Sequence, residues 1–462
     1  MRRITARTLC LLVLIVPFLA GLGILVVQFT VHGGKWAADR TNQHIYTKGQ
    51  PSATGAILDR NGVALRSTKN GKMVWPSSSD LRRATLHAAG DVDGIIGTGA
   101  QHAFADTLSG YNRIQGLFST IKYGRGSNVT LSIDAELCKS AYRALNGRKG
   151  TVGVYNYKTG EVLCMVSAPA FDPKNKPAFT EKQLAKGGAY EAVYLNRFLN
   201  GLYTPGSVFK VVTGAAAIEN IPDLGSRTFH CEGKFATGEG WVTCSGKHGD
   251  LSFEEGFNVS CNVVFATLAL ELGEETLRTY AQDMGFNKTL HADGIVLATS
   301  KFPKKDPEKP LSRIELGWTG IGQGTVLANP AQMLTLMGAI ANNGNGIAPR
   351  LTLSTETPSG LVIPSLLSAT PIKIRIDTAA QLKTYLHSNV LNYYDKSGTN
   401  RDLGLCGKTG TAEVEDGKPH AWFVGFSQNL ATPYAVVVTV EHGGSGKDNA
   451  YPIAVKMLRE LK

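Results

Sequence analysis

The sequence predicts an α+β fold, with antiparallel strands flanked by helices, that follows one membrane-spanning helix and a small β-rich region. Three observations support this prediction. Residues 9–27 form one long apolar run, residues 208–218 form a helical segment that is apolar on all sides, and strand-like runs occur both before and after that helix, at 151–157 and 434–440. Helices that lie between groups of antiparallel-type strands are typical of a layered α+β domain.

Composition excludes several classes of protein. Of the 462 residues, 43% are hydrophobic and 18% are charged, which is the balance of a globular chain rather than a disordered one. The 52 glycines follow no G-X-Y period, so the chain is not collagen-like. The net charge of +11 is not concentrated in long Lys/Arg runs, which argues against nucleic-acid binding. A negatively charged membrane surface or cell wall explains a basic chain equally well.

The N-terminal segment predicts a membrane anchor. Residues 8–34 carry no formal charge, and the apolar run is long enough to cross a bilayer as one helix. Three arginines precede the run, so the positive-inside rule places residues 1–8 in the cytoplasm, residues 9–31 in the membrane and the remainder outside. The alternative is a cleaved signal peptide, but the run exceeds a usual h-region and no A-x-A site closes it.

Two regions follow the anchor. Residues 32–130 are polar and broken by Gly, Ser and Asn, and their segment 55–65 predicts a hairpin closed by an Asn-Gly turn. Residues 131–462 alternate strand and helix patterns. The further elements expected there are strands at 161–166, 404–411 and 420–426, helices at 258–272 and from Asn329-Pro330, and a C-terminal amphipathic helix that carries Ile453, Met457, Leu458 and Leu461.

The seven cysteines give weaker signals. Cys231 and Cys244 bracket a short polar segment, and both a disulfide and two free thiols are compatible with that spacing. Cys164 and Cys406 lie in apolar strand-like runs, where cysteine acts as a small hydrophobe. No Cys/His spacing resembles a zinc site and HExxH is absent, so neither a metal nor a cofactor is expected.

The first chemical motif is Ser207-Val-Phe-Lys210. At i and i+3 of a helix a lysine amine lies beside the serine hydroxyl, and a buried lysine can lose its proton and act as the base that a serine nucleophile needs. Pro205-Gly206 marks a helix start, where free N–H groups favour a developing oxyanion. Ser119-Thr-Ile-Lys122 has the same spacing but belongs to a surface segment.

The second motif is Ser260-Cys-Asn262. A serine can relay a proton and an asparagine can hold a peptide group. Taken alone, Ser260 is better explained as a helix cap than as a catalytic group. Ser427-Gln-Asn429 repeats the pattern at a turn.

The third motif is Lys408-Thr-Gly-Thr411, on a predicted strand. A strand edge can bind an extended peptide, Gly410 allows a close approach, and Lys408 supplies a cation. Lys158-Thr-Gly160 also reads K-T-G, but it is the turn between two strands.

In this order the motifs form the S-x-x-K, S-x-N and K-T-G set of penicillin-binding proteins and serine β-lactamases. The chain resembles class B penicillin-binding proteins, the bacterial peptidoglycan D,D-transpeptidases, over residues 50–462. Two departures are Val-Phe in the nucleophile motif where Thr-Phe is common, and a short N-terminal region. Other matching segments are Asp59-Arg-Asn-Gly62, Thr159-Gly-Glu-Val-Leu163, Phe171-Asp-Pro173, Tyr203-Thr-Pro-Gly-Ser207, His248-Gly249, Gly407-Lys-Thr-Gly-Thr-Ala-Glu413 and His420-Ala-Trp-Phe-Val-Gly-Phe426.

The resemblance implies a penicillin-binding, serine β-lactamase-like transpeptidase domain at 131–462 above a pedestal at 32–130. It also implies a serine-type D-Ala–D-Ala transpeptidase that cross-links stem peptides, releases D-Ala and is inhibited covalently by β-lactams. The implied roles are nucleophile for Ser207, base for Lys210, proton relay for Ser260, donor-peptide binding for Asn262, carboxylate binding for Lys408 and Thr409, and an oxyanion hole from the N–H groups of Ser207 and Thr411, beside Gly410. His420 and Trp422 match the family pattern and are expected to be structural.

The expected partners are peptidoglycan stem peptides with their lipid-linked precursor, β-lactams and a membrane glycan polymerase, but no nucleic acid. The expected location is the bacterial cytoplasmic membrane, with one span and the catalytic domain on the outer face.

A β-lactamase would need a Glu between the second and third motifs to activate water, and no clear candidate occurs there. A β-lactam sensor would need several spans and HExxH. A bifunctional class A enzyme would need more room than residues 32–130 provide. Roles in division, elongation and sporulation all stay open.

Overall fold

A 36-residue helix, α1 (Arg2–Ala37), opens the computed structural model, which describes residues 2–47 and 50–462. Its stretch from Arg7 to Ala37 has a mean hydropathy of 3.0 in its most apolar window, and that window is not buried against the rest of the protein. The helix is therefore long and apolar enough to cross a membrane.

Short elements make up the region after α1. They are β1 (Tyr46–Thr47), β2 (Gln50–Pro51), β3 (Ile57–Leu58), β4 (Ala64–Lys69), β5 (Lys72–Val74), α2 (Ser79–Ala84), α3 (Leu86–Ala89), α4 (Ala100–Ala103), α5 (Ala105–Ser109), α6 (Phe118–Tyr123) and β6 (Asn128–Leu131).

Larger elements follow from residue 135. They are α7 (Ala135–Leu145), β7 (Gly150–Asn156), β8 (Val162–Ala168), α8 (Glu181–Leu184), α9 (Arg197–Asn200), α10 (Lys210–Asn220), β9 (Phe229–Cys231), β10 (Lys234–Ala236), β11 (Trp241–Thr243), β12 (Gly249–Leu251), α11 (Phe253–Asn258), α12 (Asn262–Asp283), β13 (His291–Ala292), β14 (Ile295–Val296), α13 (Arg313–Gly320), α14 (Pro330–Ala341), β15 (Asn345–Ile347), β16 (Thr352–Glu356), β17 (Val362–Pro364), β18 (Ala369–Lys373), α15 (Ile376–Asn389), β19 (Leu405–Ala412), β20 (His420–Ser427), β21 (Tyr434–Val440), α16 (Gly446–Asn449) and α17 (Tyr451–Glu460).

The main sheet has five antiparallel strands in the order β19-β20-β21-β7-β8. Every residue of β8 is buried, and so are six of the seven in β21. Helices α7, α14 and α17 pack on this sheet, which explains why its strands are continuous apolar runs rather than alternating ones. The predicted α+β class, an antiparallel sheet flanked by helices, is confirmed, and β19 lies at an edge of the sheet.

A second sheet of six strands has the order β17-β16-β6-β3-β4-β5. The predicted hairpin at 55–65 is present in it, because β3 pairs antiparallel with β4 and Gly62 takes the left-handed φ of +81° at the turn. Strands β16 and β17 come from much later in the chain and complete this sheet through the β16–β6 pairing. The N-terminal region is thus tied to the C-terminal part of the chain by backbone hydrogen bonds.

Most predicted elements of the larger region occur where the patterns place them, as β7, β8, β20, β21, α14 and α17 show. Asn329 caps α14 through the backbone N–H of Gln332, as the Asn-Pro pair predicts. The helix expected over 258–272 is wrong at its start. Helix α11 ends at Asn258, α12 begins at Asn262, and Ser260 between them has a left-handed φ of +58°.

Candidate active site

Ser207 lies on a 3₁₀ turn, Gly206–Phe209, that leads directly into α10. Ser207 is partly exposed, whereas Val208, Phe209 and Lys210 are buried. Gly206 has a φ of +55°, and a Cβ there would lie 3.0 Å from Ala412 Cα on β19. A glycine therefore allows the nucleophile turn to lie directly against the edge strand.

Lys210 is completely buried one turn after Ser207. Its Nζ lies 2.6 Å from the carbonyl oxygen of Ser260, 3.2 Å from Ser260 Oγ and 2.7 Å from Asn262 Oδ1. These contacts bring the first two motifs together. The partners of Lys210 Nζ do not include Ser207 Oγ, and a base–nucleophile hydrogen bond is often loose before substrate binds.

Ser260 occupies the break between α11 and α12. Its backbone is in the left-handed region, which is costly for a residue other than glycine and which clusters at functional sites. The interpretation of Ser260 as a helix cap is wrong, because Cys261 is the N-cap residue of α12. The hydroxyl of Ser260 instead receives hydrogen bonds from Lys210 Nζ and from Lys408 Nζ, the latter at 2.9 Å.

The third motif lies on β19. Lys408 is completely buried, and besides Ser260 its Nζ contacts the Thr409 carbonyl at 3.2 Å. The hydroxyl of Tyr394 accepts from Thr409 N at 3.0 Å, from Thr409 Oγ1 at 2.8 Å and from Asn389 Nδ2 at 3.1 Å. Tyr394 belongs to no sequence motif, and only the fold places it behind Thr409.

Burial sets the charge state of the two lysines. Desolvation and the neighbouring Lys408 hold the pKa of Lys210 well below its ordinary value of 10.5. Desolvation also lowers the pKa of Lys408, to about 7. Both lysines share one hydroxyl at Ser260, so protonation of one disfavours protonation of the other. The arrangement favours the neutral form of Lys210, which is the form that a general base requires.

Edge strand β19 is held against the nucleophile turn by close packing. A Cβ at Gly410 would lie 2.7 Å from the carbonyl oxygen of Pro205. Trp422, on the adjacent strand β20, is fully buried, and its Nε1 donates to the Thr204 carbonyl at 3.1 Å. Trp422 therefore supports the turn from behind, in the structural role expected for it.

These residues open into one cleft of about 380 Å³. Ser207, Ser260 and Asn262 line it together with Thr409 and Thr411. Gly410 lies between the last two residues on β19. The cleft residues outside the three motifs are Thr243, Cys244, Ser245, Val259, Trp318, Ile321, Gln323, Tyr393, Glu413, Ser445 and Lys447.

The repeated motifs lie elsewhere. Ser119 is in the short helix α6, where its hydroxyl donates to Gln115. Lys158-Thr-Gly160 connects β7 to β8, as expected of a turn. Neither segment lines the cleft. Position in the fold thus separates motifs that the sequence alone distinguishes only by context.

The cysteines depart from the sequence-based expectations. Cys231 and Cys244 are free thiols, so the disulfide alternative is contradicted. The structure instead groups them with His248 and Cys261, with all four possible ligand atoms within 4.8 Å of one another. The sequence-based expectation of no metal site missed this group. Cys231 and His248 approach each other only through the pairing of β9 with β12, and Cys261 joins them through the turn before α12.

Comparison with known proteins agrees with this geometry. Residues 150–459 match the family model of the penicillin binding protein transpeptidase domain. Peptidoglycan D,D-transpeptidase PbpA of Mycolicibacterium smegmatis is 29% identical over 390 residues, which cover 76% of this chain and 76% of the relative. Peptidoglycan D,D-transpeptidase MrdA of Acinetobacter baumannii is 25% identical over 368 residues, which cover 71% of this chain and 53% of the relative.

Solved structures show the same fold. The D,D-transpeptidase domain of a peptidoglycan glycosyltransferase from Eggerthella lenta superposes with a TM-score of 0.75 at 26% identity, over 88% of this chain and 98% of that one. The penicillin G acyl-enzyme complex of penicillin-binding protein A from Mycobacterium tuberculosis gives a TM-score of 0.74 at 24% identity, over 88% and 99%. Because the family model matches about two thirds of this chain, the chain belongs to the penicillin-binding protein transpeptidase family.

Proposed function

We propose that the protein is a peptidoglycan D,D-transpeptidase that cross-links stem peptides through an acyl-enzyme on Ser207, releases D-Ala and is blocked covalently by β-lactams. The observation that carries the proposal is the buried contact of Lys210 and Lys408 with one hydroxyl, Ser260 Oγ, at the base of the cleft that Ser207 lines. The names of the relatives, peptidoglycan D,D-transpeptidases PbpA and MrdA, support the same activity.

In the first step neutral Lys210 removes the proton of Ser207, and the serine oxygen attacks the carbonyl of the D-Ala–D-Ala peptide bond. Negative charge then develops on the carbonyl oxygen. The N–H groups of Ser207 and Thr411 stabilise this oxyanion. Ser207 lies on the turn that leads into α10, and Thr411 lies on the strand that packs against this turn. Both residues line the cleft.

In the second half of the step the departing D-Ala amine needs a proton. Ser260 delivers it, because its hydroxyl receives hydrogen bonds from both lysines. The proton that Lys210 took from Ser207 can therefore pass through Ser260 to the leaving group, and Lys210 returns to its neutral state. The carbon–nitrogen bond of the peptide breaks as the ester bond to Ser207 is established.

Substrate binding uses the free edge of the main sheet. Strand β19 has β20 on one side only, so its other side can pair with an extended stem peptide. Gly410 keeps the strand close to the nucleophile turn, Thr409 and Lys408 bind the terminal carboxylate, and Asn262 orients the donor peptide. The Asn262 side chain is held for this role between Lys210 Nζ and the Thr243 carbonyl, the latter at 2.8 Å.

The acyl group goes to an amine of a neighbouring stem peptide. We place the catalytic part, residues 131–462, on the outer face of the cytoplasmic membrane, held there by α1, with residues 32–130 as a pedestal. Anchoring raises the local concentration of nascent acceptor chains. A membrane glycan polymerase that contacts the pedestal would supply these chains.

The test uses the full-length protein in membranes with a matching polymerase and a labelled lipid-linked precursor. Cross-linked dimers should form with the wild-type protein and be absent with Ser207→Ala, whereas Ser119→Ala, a control in the surface S-x-x-K segment, should leave them unchanged. Accumulation of D-Ala-trimmed monomers alone, while a known transpeptidase cross-links in the same assay, would show a carboxypeptidase and overturn the proposal.

A further inference from the structure

A cluster of three thiols and one imidazole lies beside the active site. Cys231 ends β9, Cys244 follows β11, His248 precedes β12, and Cys261 is the N-cap residue of α12. Backbone hydrogen bonds hold three of them in place: Cys244 N donates to Gly233 O at 2.8 Å, and His248 N donates to Cys231 O at 3.1 Å. Four residues between positions 231 and 261 thus converge at one point.

Three distances within this cluster match those of a tetrahedral zinc site. With Zn–S of about 2.3 Å and Zn–N of about 2.0–2.1 Å, tetrahedral angles require S···S separations of about 3.8 Å and S···N separations of about 3.6 Å. The Sγ atoms of Cys244 and Cys261 are 3.8 Å apart, and His248 Nδ1 lies 3.5 Å from the Sγ atoms of both Cys231 and Cys244. A disulfide would instead need sulfurs about 2.05 Å apart.

We propose that Cys231, Cys244, His248 and Cys261 bind one zinc ion as a structural Cys₃His site. Four protein ligands fill a tetrahedral shell and leave no open position, so the ion would hold the fold together rather than activate water. Binding displaces the thiol protons, since thiolates are the ligands. The N–H of Asn262 donates to Cys244 Sγ at 3.2 Å, a contact that supports a negatively charged sulfur and fixes its direction.

The segment that carries three of the ligands needs such a link. Residues 229–251 form two separate two-stranded ribbons, β9–β12 and β10–β11, and each strand has three residues. Ribbons of this size are marginal in water on their own. The cluster lies where the two ribbons meet α12, so one ion would tie three pieces of backbone together.

The same ion would position catalytic groups. Cys261 lies between Ser260 and Asn262, and Cys244 lines the cleft. Loss of the metal should therefore displace both motif residues from Lys210 and slow acylation, by roughly 10²-fold if they move by about 1 Å. This second effect rests on the proposed function, whereas metal binding itself does not.

The first test measures metal content. Full-length protein purified in detergent without chelators should contain close to one zinc per chain by plasma mass spectrometry. Cys231→Ser and His248→Ala should lose it, and Cys138→Ser, which removes a buried thiol outside the cluster, should keep it. Acylation by a fluorescent penicillin, measured on the same samples, should fall only in the two cluster variants. If the wild-type protein contains zinc but is not acylated, the result would contradict the proposed function but not the zinc site.

The second test needs no variant and so does not depend on folding of a mutant. Wild-type protein whose zinc is exchanged for Co²⁺ should show strong thiolate-to-cobalt charge-transfer bands and the intense visible bands of a tetrahedral ion. Wild-type protein that holds no metal after reloading with zinc would overturn the proposal. A Cys244–Cys261 disulfide in non-reducing peptide maps of the isolated protein would overturn it as well.

Discussion

The catalytic cleft lies between two walls of different construction. One wall is β19, an eight-residue strand in the same sheet as β20 and β21, which are buried along nearly their whole length. The other is residues 229–251, whose strands have three residues each. The first wall is fixed by sheet packing. The second is held by a few buried apolar side chains, among them Phe229 and Val242, and by the polar contacts of Asn262 with Thr243 and Cys244. Two walls of one cleft thus position catalytic groups with very different amounts of regular structure.

The largest effect on acylation is expected from a substitution of the general base, Lys210. Lys210→Arg keeps a basic side chain in contact range of Ser260 and Asn262, but arginine does not deprotonate at working pH, so the site would hold a permanent cation. Since general-base catalysis contributes about 10²–10⁴-fold, acylation by a fluorescent penicillin should fall by that factor. Lys122→Arg, the same change in the surface motif, is the control. Near wild-type acylation by Lys210→Arg would show that charge alone suffices.

A methyl group on the sheet wall should have the next largest effect. In Gly410→Ala the new Cβ would lie 2.7 Å from the Pro205 carbonyl, so β19 and the nucleophile turn must separate. We expect a loss of about 1–3 kcal/mol of stability and at least a tenfold slower acylation, as about 1.4 kcal/mol in the barrier would give. Gly225→Ala, where a Cβ would meet no atom within 4 Å, is the matched control. If both variants acylate alike, the close approach has no functional role.

Tyr394→Phe tests whether the support behind β19 acts on chemistry or only on stability. It removes the oxygen that Thr409 N, Thr409 Oγ1 and Asn389 Nδ2 contact, at a cost of about 1–3 kcal/mol. Tyr157→Phe removes another buried hydroxyl, which donates to Ser427 O at a distance of 3.1 Å. Tyr157 does not line the cleft. Thermal unfolding should shift in both variants and acylation only in Tyr394→Phe. Equal acylation in the two variants would assign Tyr394 a purely structural role.

The last prediction concerns the dependence of stability on pH, where no change in acylation is needed to detect the effect. The pKa of Lys408 is about 7 in the folded protein against an ordinary 10.5, so the unfolded chain binds this proton more strongly. The destabilisation is complete below about pH 7 and is lost as pH rises toward 10.5. Lys408→Met removes this ionisable group. The free energy of unfolding should therefore rise less steeply with pH over that window, by up to about 1.4 kcal/mol per pH unit. Thermal unfolding against pH measures this, with the exposed Lys122→Met as control. An unchanged slope would mean that Lys408 is not desolvated.

The two walls also differ in how far the sequence predicts them. Strands β20 and β21 follow from apolar runs because all but the first side chain of each is buried, and Lys408-Thr-Gly-Thr411 falls on β19 as predicted. The wall at 229–251 has no such signal, since a three-residue strand gives no periodicity. The cluster of Cys231, Cys244, His248 and Cys261 is assembled by pairing between those short strands, so spacing along the chain does not reveal it.

Local backbone conformation accounts for the remaining error in the sequence-based prediction. The apolar residues from 258 to 272 predict one helix, but the left-handed turn at Ser260 interrupts it. No pattern of hydrophobicity encodes that turn. What holds it is tertiary: Lys210 Nζ bonds the Ser260 carbonyl at 2.6 Å, and Lys408 Nζ bonds the hydroxyl. A functional residue here departs from the local rule, as strained functional sites commonly do.

The central claim is that Ser207, and no other serine, is acylated by virtue of the lysine network beneath it. Full-length protein is treated with a penicillin, its intact mass is measured, and the modified peptide is mapped. The account predicts one adduct per chain, on the peptide that contains Ser207, and none in Ser207→Ala. An adduct on Ser119 or Ser260, or one that persists in Ser207→Ala, would contradict it.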